Sequence, residues 1–189
     1  MKKISTLFAK DPKNLARVIN KINAENAWVI NGDAIATRKF DGTSVAIIGG
    51  ELFKRFDAKK GRAIPLGAIP CQEADLISGH HPHWIKCDRM KSEDKFFFEG
   101  FDSLEIKEDG TYELCGPKVQ GNPEKLEKHT LIKHGSEVLD FVNLGFEDLE
   151  KFLSENDIEG IVFHHIADDR MCKLRKSDFG IKRLELEKV

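Results

Sequence analysis

The sequence predicts an α+β fold of mainly antiparallel sheets with flanking helices, and three observations carry that prediction. A two-glycine turn at Gly49-Gly50 lies between strand-like runs, the signal of a tight hairpin. Short β-branched runs recur to the end of the chain. Helical patterns are few, and they do not alternate with strands as βαβ units do. The chain has 189 residues, 40% apolar and 33% charged, with no internal repeat or low-complexity linker, so one domain spanning 1–189 is expected.

The elements follow in order. "DPKNLARVINKI" predicts a helix over 11–22, with Asp11 at the N-cap, Pro12 in the first turn, and Leu15, Val18, Ile19 and Ile22 on one face. Ser44–Ile48 and Glu51–Phe56 form the hairpin around the glycine pair. Pairing Ile48 with Glu51 brings Ser44 opposite Arg55, and the same register carried further places Gly42 near Asp57 and Lys39 near Lys59 and Lys60. "KFFFEGFDSLEI", "GTYELCG", "EGIVFHH" and "RMCKLRK" read as further strands. "FEDLEKFLSEN" reads as a helix with Phe146, Leu149, Phe152 and Leu153 as its buried stripe.

Composition excludes several classes of function. Thirty Lys and Arg against 32 Asp and Glu give a net charge of −2, so any polyanion must be held by a local patch. No apolar run approaches the ~20 residues of a membrane span, and the start lacks a secretory apolar stretch, so a cytoplasmic protein is expected. Cys71, Cys87, Cys115 and Cys172 show no CxxC spacing and are expected to be free thiols. The glycine-rich GxGxxG and GxxxxGK[ST] loops of Rossmann and P-loop nucleotide sites are absent from the sequence.

Five stretches can carry chemistry. Lys39 in "KFDGT" becomes a candidate amine nucleophile if neighbouring cations disfavour its ammonium form, although a charged hairpin of solvated lysines fits the same residues. Arg55 lies on the following strand. Glu113 stands near the end of a strand that runs into Gly116-Pro117. Glu159 precedes an apolar run, where a carboxylate can stand at the lip of a pocket. Strand alternation puts Lys173 and Arg175 on one face and Cys172, Leu174 and Lys176 on the other, and alternate cations of this kind can hold a phosphate. Which of them faces Glu159 depends on the intervening turn, because a slip of one residue reverses the answer.

The order of these stretches resembles the motif series of the covalent nucleotidyltransferases, the superfamily of ATP-dependent DNA ligases, RNA ligases and mRNA-capping enzymes. RNA ligases are the closest resemblance. The trio "YELCGPKVQGNP", "LIKHG" and "IEGIVFHH" resembles a small RNA ligase family that includes a vertebrate 5′–3′ RNA ligase, and "GHHPHW" belongs to the same pattern. The resemblance covers roughly residues 34–183. It departs from the general pattern in placing Arg175 where a second lysine is usual, with Lys176 just beyond, and in leaving no room for an OB-type domain.

The resemblance implies that Lys39 attacks the α-phosphate of ATP and becomes a lysyl-AMP. The AMP then passes to an RNA 5′-phosphate, and a 3′-hydroxyl seals the ends. By the same resemblance Lys173, with Lys176 or Arg175, neutralises the α-phosphate, and Glu159 holds Mg²⁺ or Mn²⁺. Glu113 binds the ribose or helps place the metal, and Arg55 meets the nucleotide or the RNA 5′-phosphate. Thr37 meets adenine through its backbone, and Asp41-Gly42 shapes the turn that presents the lysine. The implied partners are RNA ends and an end-processing kinase or phosphatase, with no membrane. A DNA ligase or another adenylyltransferase is the alternative, and a non-catalytic nucleotide- or RNA-binding module is another. The histidines of "CQEADLISGHHPHWIKC" fit no standard zinc spacing. They are expected in a turn, as a loop that closes over the nucleotide or RNA with Trp84 as its anchor. His129, His134, His164 and His165 are expected to be structural, with His134 the one to test for a role in the site.

Overall fold

The structure is a computed structural model that describes residues 4–58, 63–75, 79–140 and 143–183. In chain order the strands are β1 (Ser5–Thr6), β2 (Phe8–Asp11), β3 (Asn14–Ile22), β4 (Ala34–Lys39), β5 (Thr43–Ile48), β6 (Glu51–Ala58), β7 (Ile69–Pro70) and β8 (His81–Lys86). After helix α1 (Lys95–Asp102) come β9 (Gly110–Cys115) and β10 (Thr130–Lys133). Helix α2 (Phe146–Glu155), β11 (Gly160–His165), β12 (Met171–Arg175) and the short α3 (Lys176–Phe179) follow. The fold is mixed α+β with mostly antiparallel sheets, as the sequence predicts.

The chain forms two compact units, one of Asp41–His134 and one of Ile4–Phe40 with the chain from Gly135 onward. In the second, a four-stranded sheet runs in the order β1-β12-β11-β4, with β1 parallel to β12 and the other pairs antiparallel. Alternation along its strands sends Ile161, Phe163, Cys172 and Leu174 to a core shared with Leu149 and Leu153 of α2, Trp28, Val29 and Phe8. Leu149 and Leu153 are fully buried, each worth about 1.5–3 kcal/mol in apolar transfer. The opposite face of the sheet carries Thr37, Lys39, Val162, His164, Lys173 and Arg175.

In the Asp41–His134 unit a six-stranded sheet runs β10-β9-β5-β6-β8-β7. Its core gathers Val45, Ile47, Leu52, Tyr112, Leu114 and Leu131 under Phe101, with Phe97 and Phe98 of α1 against it. Gly49-Gly50 makes the predicted turn, with Ile48 paired to Glu51, and both glycine amides donate to the Asp109 carboxylate at 2.8 and 3.1 Å.

Four expectations need correction. Residues 11–22 are the end of β2, a turn and β3, not a helix: Asp11 accepts from the Lys13 amide (2.8 Å) and pairs with Asn14 across Pro12-Lys13. Asp then Pro opens a β-turn as well as it opens a helix, and only Val18 of the predicted stripe is buried, with Leu15 left 73% exposed. "KFFFEGFD" is helical, because Phe97, Phe98 and Phe101 share one flank and Gly100 lets it close on Leu114 and Leu131. The β5–β6 ladder ends at Val45–Lys54, so it does not carry Lys39 toward Lys59 and Lys60, which lie outside the described residues. His81, Pro82, His83 and Trp84 lie in β8, paired with β6, not in a turn; His83 is buried, and its ring centroid lies 4.1 Å from that of His81 in a tilted arrangement.

Candidate functional site

Lys39 ends β4 directly opposite Gly160 of β11, and Glu159 precedes that strand. The Lys39 ammonium forms an ion pair with the Glu159 carboxylate, and the two side chains are 23% and 20% exposed. It also donates to the Phe40 carbonyl at 3.3 Å. The register of β12 is fixed by Gly160–Arg175, Ile161–Leu174 and Val162–Lys173. Cross-strand partners share a face, so Lys39, Gly160 and Arg175 form one row, and Thr37, Val162 and Lys173 form the next. Gly160 permits the close approach of β11 to β12: a Cβ there would lie 2.3 Å from the Leu174 carbonyl oxygen.

These rows concentrate positive charge. Burial pushes the Lys173 ammonium down, and Arg175 and Lys39 push in the same direction. Glu159 and Asp178 oppose them only in part, so Lys173 titrates at about 8. Asp178 is fully buried and accepts the Arg175 amide at 2.8 Å, the Arg175 guanidinium at 3.2 Å and the Lys10 ammonium at 2.6 Å. Burial pushes its carboxyl up, but Lys10 and Arg175 outweigh it and hold it below the usual range.

The structure places Arg175 and Lys176, the two cations that follow Lys173, differently. Arg175 shares the Lys39 row. Lys176 turns into α3, is 2% exposed, and its buried ammonium finds no hydrogen-bond partner among the described residues; burial pushes it down, and Asp157 opposes that. Its backbone amide donates to the Glu159 carbonyl at 3.0 Å, closing the register that the sequence left open. Thr37 is 2% exposed, flanked on both sides by paired backbone, with its hydroxyl 3.0 Å from His164 Nε2 and 3.3 Å from the Val162 carbonyl.

The remaining candidates lie in the Asp41–His134 unit. Glu113 Oε1 accepts the Gly42 amide at 3.1 Å, and Oε2 lies 2.9 Å from His134 Nε2. His134 Nδ1 in turn meets the Thr111 hydroxyl at 2.9 Å. Gly42 is required for this approach, since a Cβ would sit 2.2 Å from the Leu114 carbonyl oxygen. The Asp41 amide donates to Glu124 at 2.9 Å. Arg55 donates to Asp57 at 2.8 Å with Trp84 beneath it at 6.0 Å, and His80 reaches Asp57 at 3.2 Å. Burial pushes the Asp57 carboxyl up, while Arg55 and His80 outweigh it and hold it low.

Sequence reasoning missed Asp178, Lys10 and Glu124. Lys10 and Asp178 carry no local signal, because each meets a partner 168 positions away in the chain. Among the described residues, no group of three His, Cys, Asp or Glu side chains stands ready to cage a metal. Glu159 is a hard oxygen donor of the kind that binds Mg²⁺ when phosphates and water supply the rest of its shell. Both Glu113 oxygens already hold hydrogen bonds, which suits a fixed acceptor better than a metal ligand. No protein-family model matches the chain, and no curated protein matches it.

Proposed function

We propose that the chain is an ATP-dependent RNA ligase that carries AMP on Lys39. The observation that supports this best is the pairing of Lys39 with Glu159 at adjoining strand ends, beside Lys173 and Arg175 on the same sheet face. A nucleophile, a carboxylate and two further cations together are what attack at a phosphate requires.

In this reading Lys39 enters as the free amine, its proton leaving through the carboxylate to which it is bonded. The amine attacks the α-phosphorus of ATP, a P–N bond forms, and the bond to pyrophosphate breaks. Lys173 and Arg175 neutralise the phosphoryl oxygens as charge moves to the leaving group. Glu159 would hold Mg²⁺ or Mn²⁺, which would supply further neutralisation. The AMP passes to an RNA 5′-phosphate as a 5′-5′ pyrophosphate, and a 3′-hydroxyl attacks that phosphate and expels AMP. Ends in any other state need a kinase or phosphatase partner first. No step here rests on Asp41, Gly42, Arg55 or Glu113, whose roles come from the motif resemblance alone.

The test is incubation with α-labelled ATP and Mg²⁺, followed by denaturation. The wild type should retain label and Lys39→Ala should not. An unlabelled wild type, or undiminished label on Lys39→Ala, rejects the covalent mechanism. Supplying 5′-phosphorylated RNA and DNA strands in parallel separates an RNA ligase from a DNA ligase.

A further inference from the structure

We propose that Lys10, with Arg175, forms a phosphoryl-binding subsite over the buried Asp178 carboxylate. It deepens the ligase reading by adding a contact from outside the motif series.

Three observations carry it. First, a single fully buried carboxylate faces two cations, Lys10 at 2.6 Å and Arg175 at 3.2 Å, so it offsets only one of their charges. The Lys10 and Arg175 side chains are still 30% and 35% exposed. An ammonium has three donors and a guanidinium five, so N–H groups remain for the oxygens of a phosphoryl group. Second, the β2–β3 register shifts on both sides of Lys10, between Phe8 and Lys10 and again between Lys10 and Asp11. Irregularities of this kind re-aim a side chain, and here the re-aimed one reaches a residue 168 positions away. Third, Asp178 and Arg175 both act electrostatically on Lys173, which also senses Lys39. Lys10 therefore joins the charge system of the Lys39 face through one shared carboxylate. The group bound is a phosphoryl group, and its source is either the triphosphate tail of ATP or the 5′-phosphate of RNA.

The direct probe is pyrophosphate without metal, titrated by calorimetry at pH 7. Loss of one charge-assisted hydrogen bond predicts about a tenfold weaker affinity for Lys10→Gln, and Lys10→Arg should bind like the wild type. In the wild type, pyrophosphate should also slow acetylation of Lys10 by a chemical acylating reagent, read by mass spectrometry, which needs no variant to fold. Equal affinity in wild type and Lys10→Gln, no binding by the wild type, or unaltered acetylation overturns the proposal. Two kinetic arms then assign the source. A higher KM for ATP in self-adenylylation, with normal transfer from preformed adenylylated protein, marks the triphosphate tail. Normal adenylylation with slowed transfer to 5′-phosphorylated RNA marks the RNA end. Lys10-dependent pyrophosphate binding by a wild type that takes no label would sink the ligase reading and leave the subsite standing.

Discussion

Replacing Asp178 with asparagine removes one charge from a buried polar cluster of the Lys39 unit. The carboxylate is fully buried and holds the Arg175 amide, the Arg175 guanidinium and the Lys10 ammonium. Breaking a fully buried ion pair costs about 3–5 kcal/mol because the orphaned partner stays desolvated. Here the partners are 30% and 35% exposed and can rehydrate, so about 2 kcal/mol is expected. For a chain of this length that is a fall in Tm of about 4–8 °C. The pH dependence is the sharper part. Lys10 and Arg175 hold the folded carboxyl below its ordinary value despite burial. A group depressed on folding adds stability above its unfolded pKa, and that stability is lost as pH falls through the folded value. Urea midpoints of wild type and Asp178→Asn should therefore differ fully at pH 7 and converge toward the acid limit of folding. A gap that is the same at pH 7 and pH 3 would show that asparagine acts by shape alone and refute the electrostatic account.

Four further outcomes are expected. Gly42→Ala should lower stability by several kcal/mol or shift the β5–β9 pairing, since its Cβ would lie 2.2 Å from the Leu114 carbonyl oxygen; the measurement is a urea melt, and a change under about 0.5 kcal/mol rejects the close approach. Leu153→Ala should cost about 2–5 kcal/mol in the same assay, because the side chain is fully buried between α2 and the sheet. His134→Ala should loosen Glu113 while His134→Gln, which keeps a donor, should restore it in part; the readout is the amide hydrogen exchange of Gly42, which donates to Glu113. Lys173 titrates at about 8, so pyrophosphate affinity should hold below that pH and fall above it as the ammonium is lost, and a flat profile from pH 7 to 9.5 would exclude Lys173 from anion binding.

The parts that were legible in the sequence are those whose signals are local. "EGIVFHH" and "RMCKLRK" are strands because β-branched and alternating residues leave no competing period, and α2 keeps an unbroken helical stripe from Phe146 to Leu153. Residues 11–22 failed because a spacing of four, as from Val18 to Ile22, satisfies both the helical and the strand period. Asp-Pro then serves either start. "KFFFEGF" failed because phenylalanine favours strands, and the helical face is visible only once Gly100 meets Leu114 and Leu131. The site divides the same way. The alternation of Lys173 and Arg175 could be read from neighbours, but the partner of Lys39 lies 120 residues away and that of Lys10 168. Contacts of that separation are set by sheet order, which local patterns do not encode.

Sheet order also explains why this face suits a nucleophilic lysine better than the hairpin first suggested. On a hairpin edge Lys39 would stand among solvated lysines, with nothing to remove its proton or hold a phosphate in place. Pairing β4 with β11 instead puts it at the end of a rigid ladder, bonded to a carboxylate and one residue across from Arg175 through Gly160. In the proposed mechanism the arriving phosphates would compete with Glu159 for the Lys39 ammonium and leave the carboxylate available to a metal. Lys173, beside the cations Arg175 and Lys39, would regain a counter-charge from the same phosphates. On that mechanism the cations would be mutually unfavourable before a phosphate arrives and mutually satisfied afterwards, a differential that would favour binding.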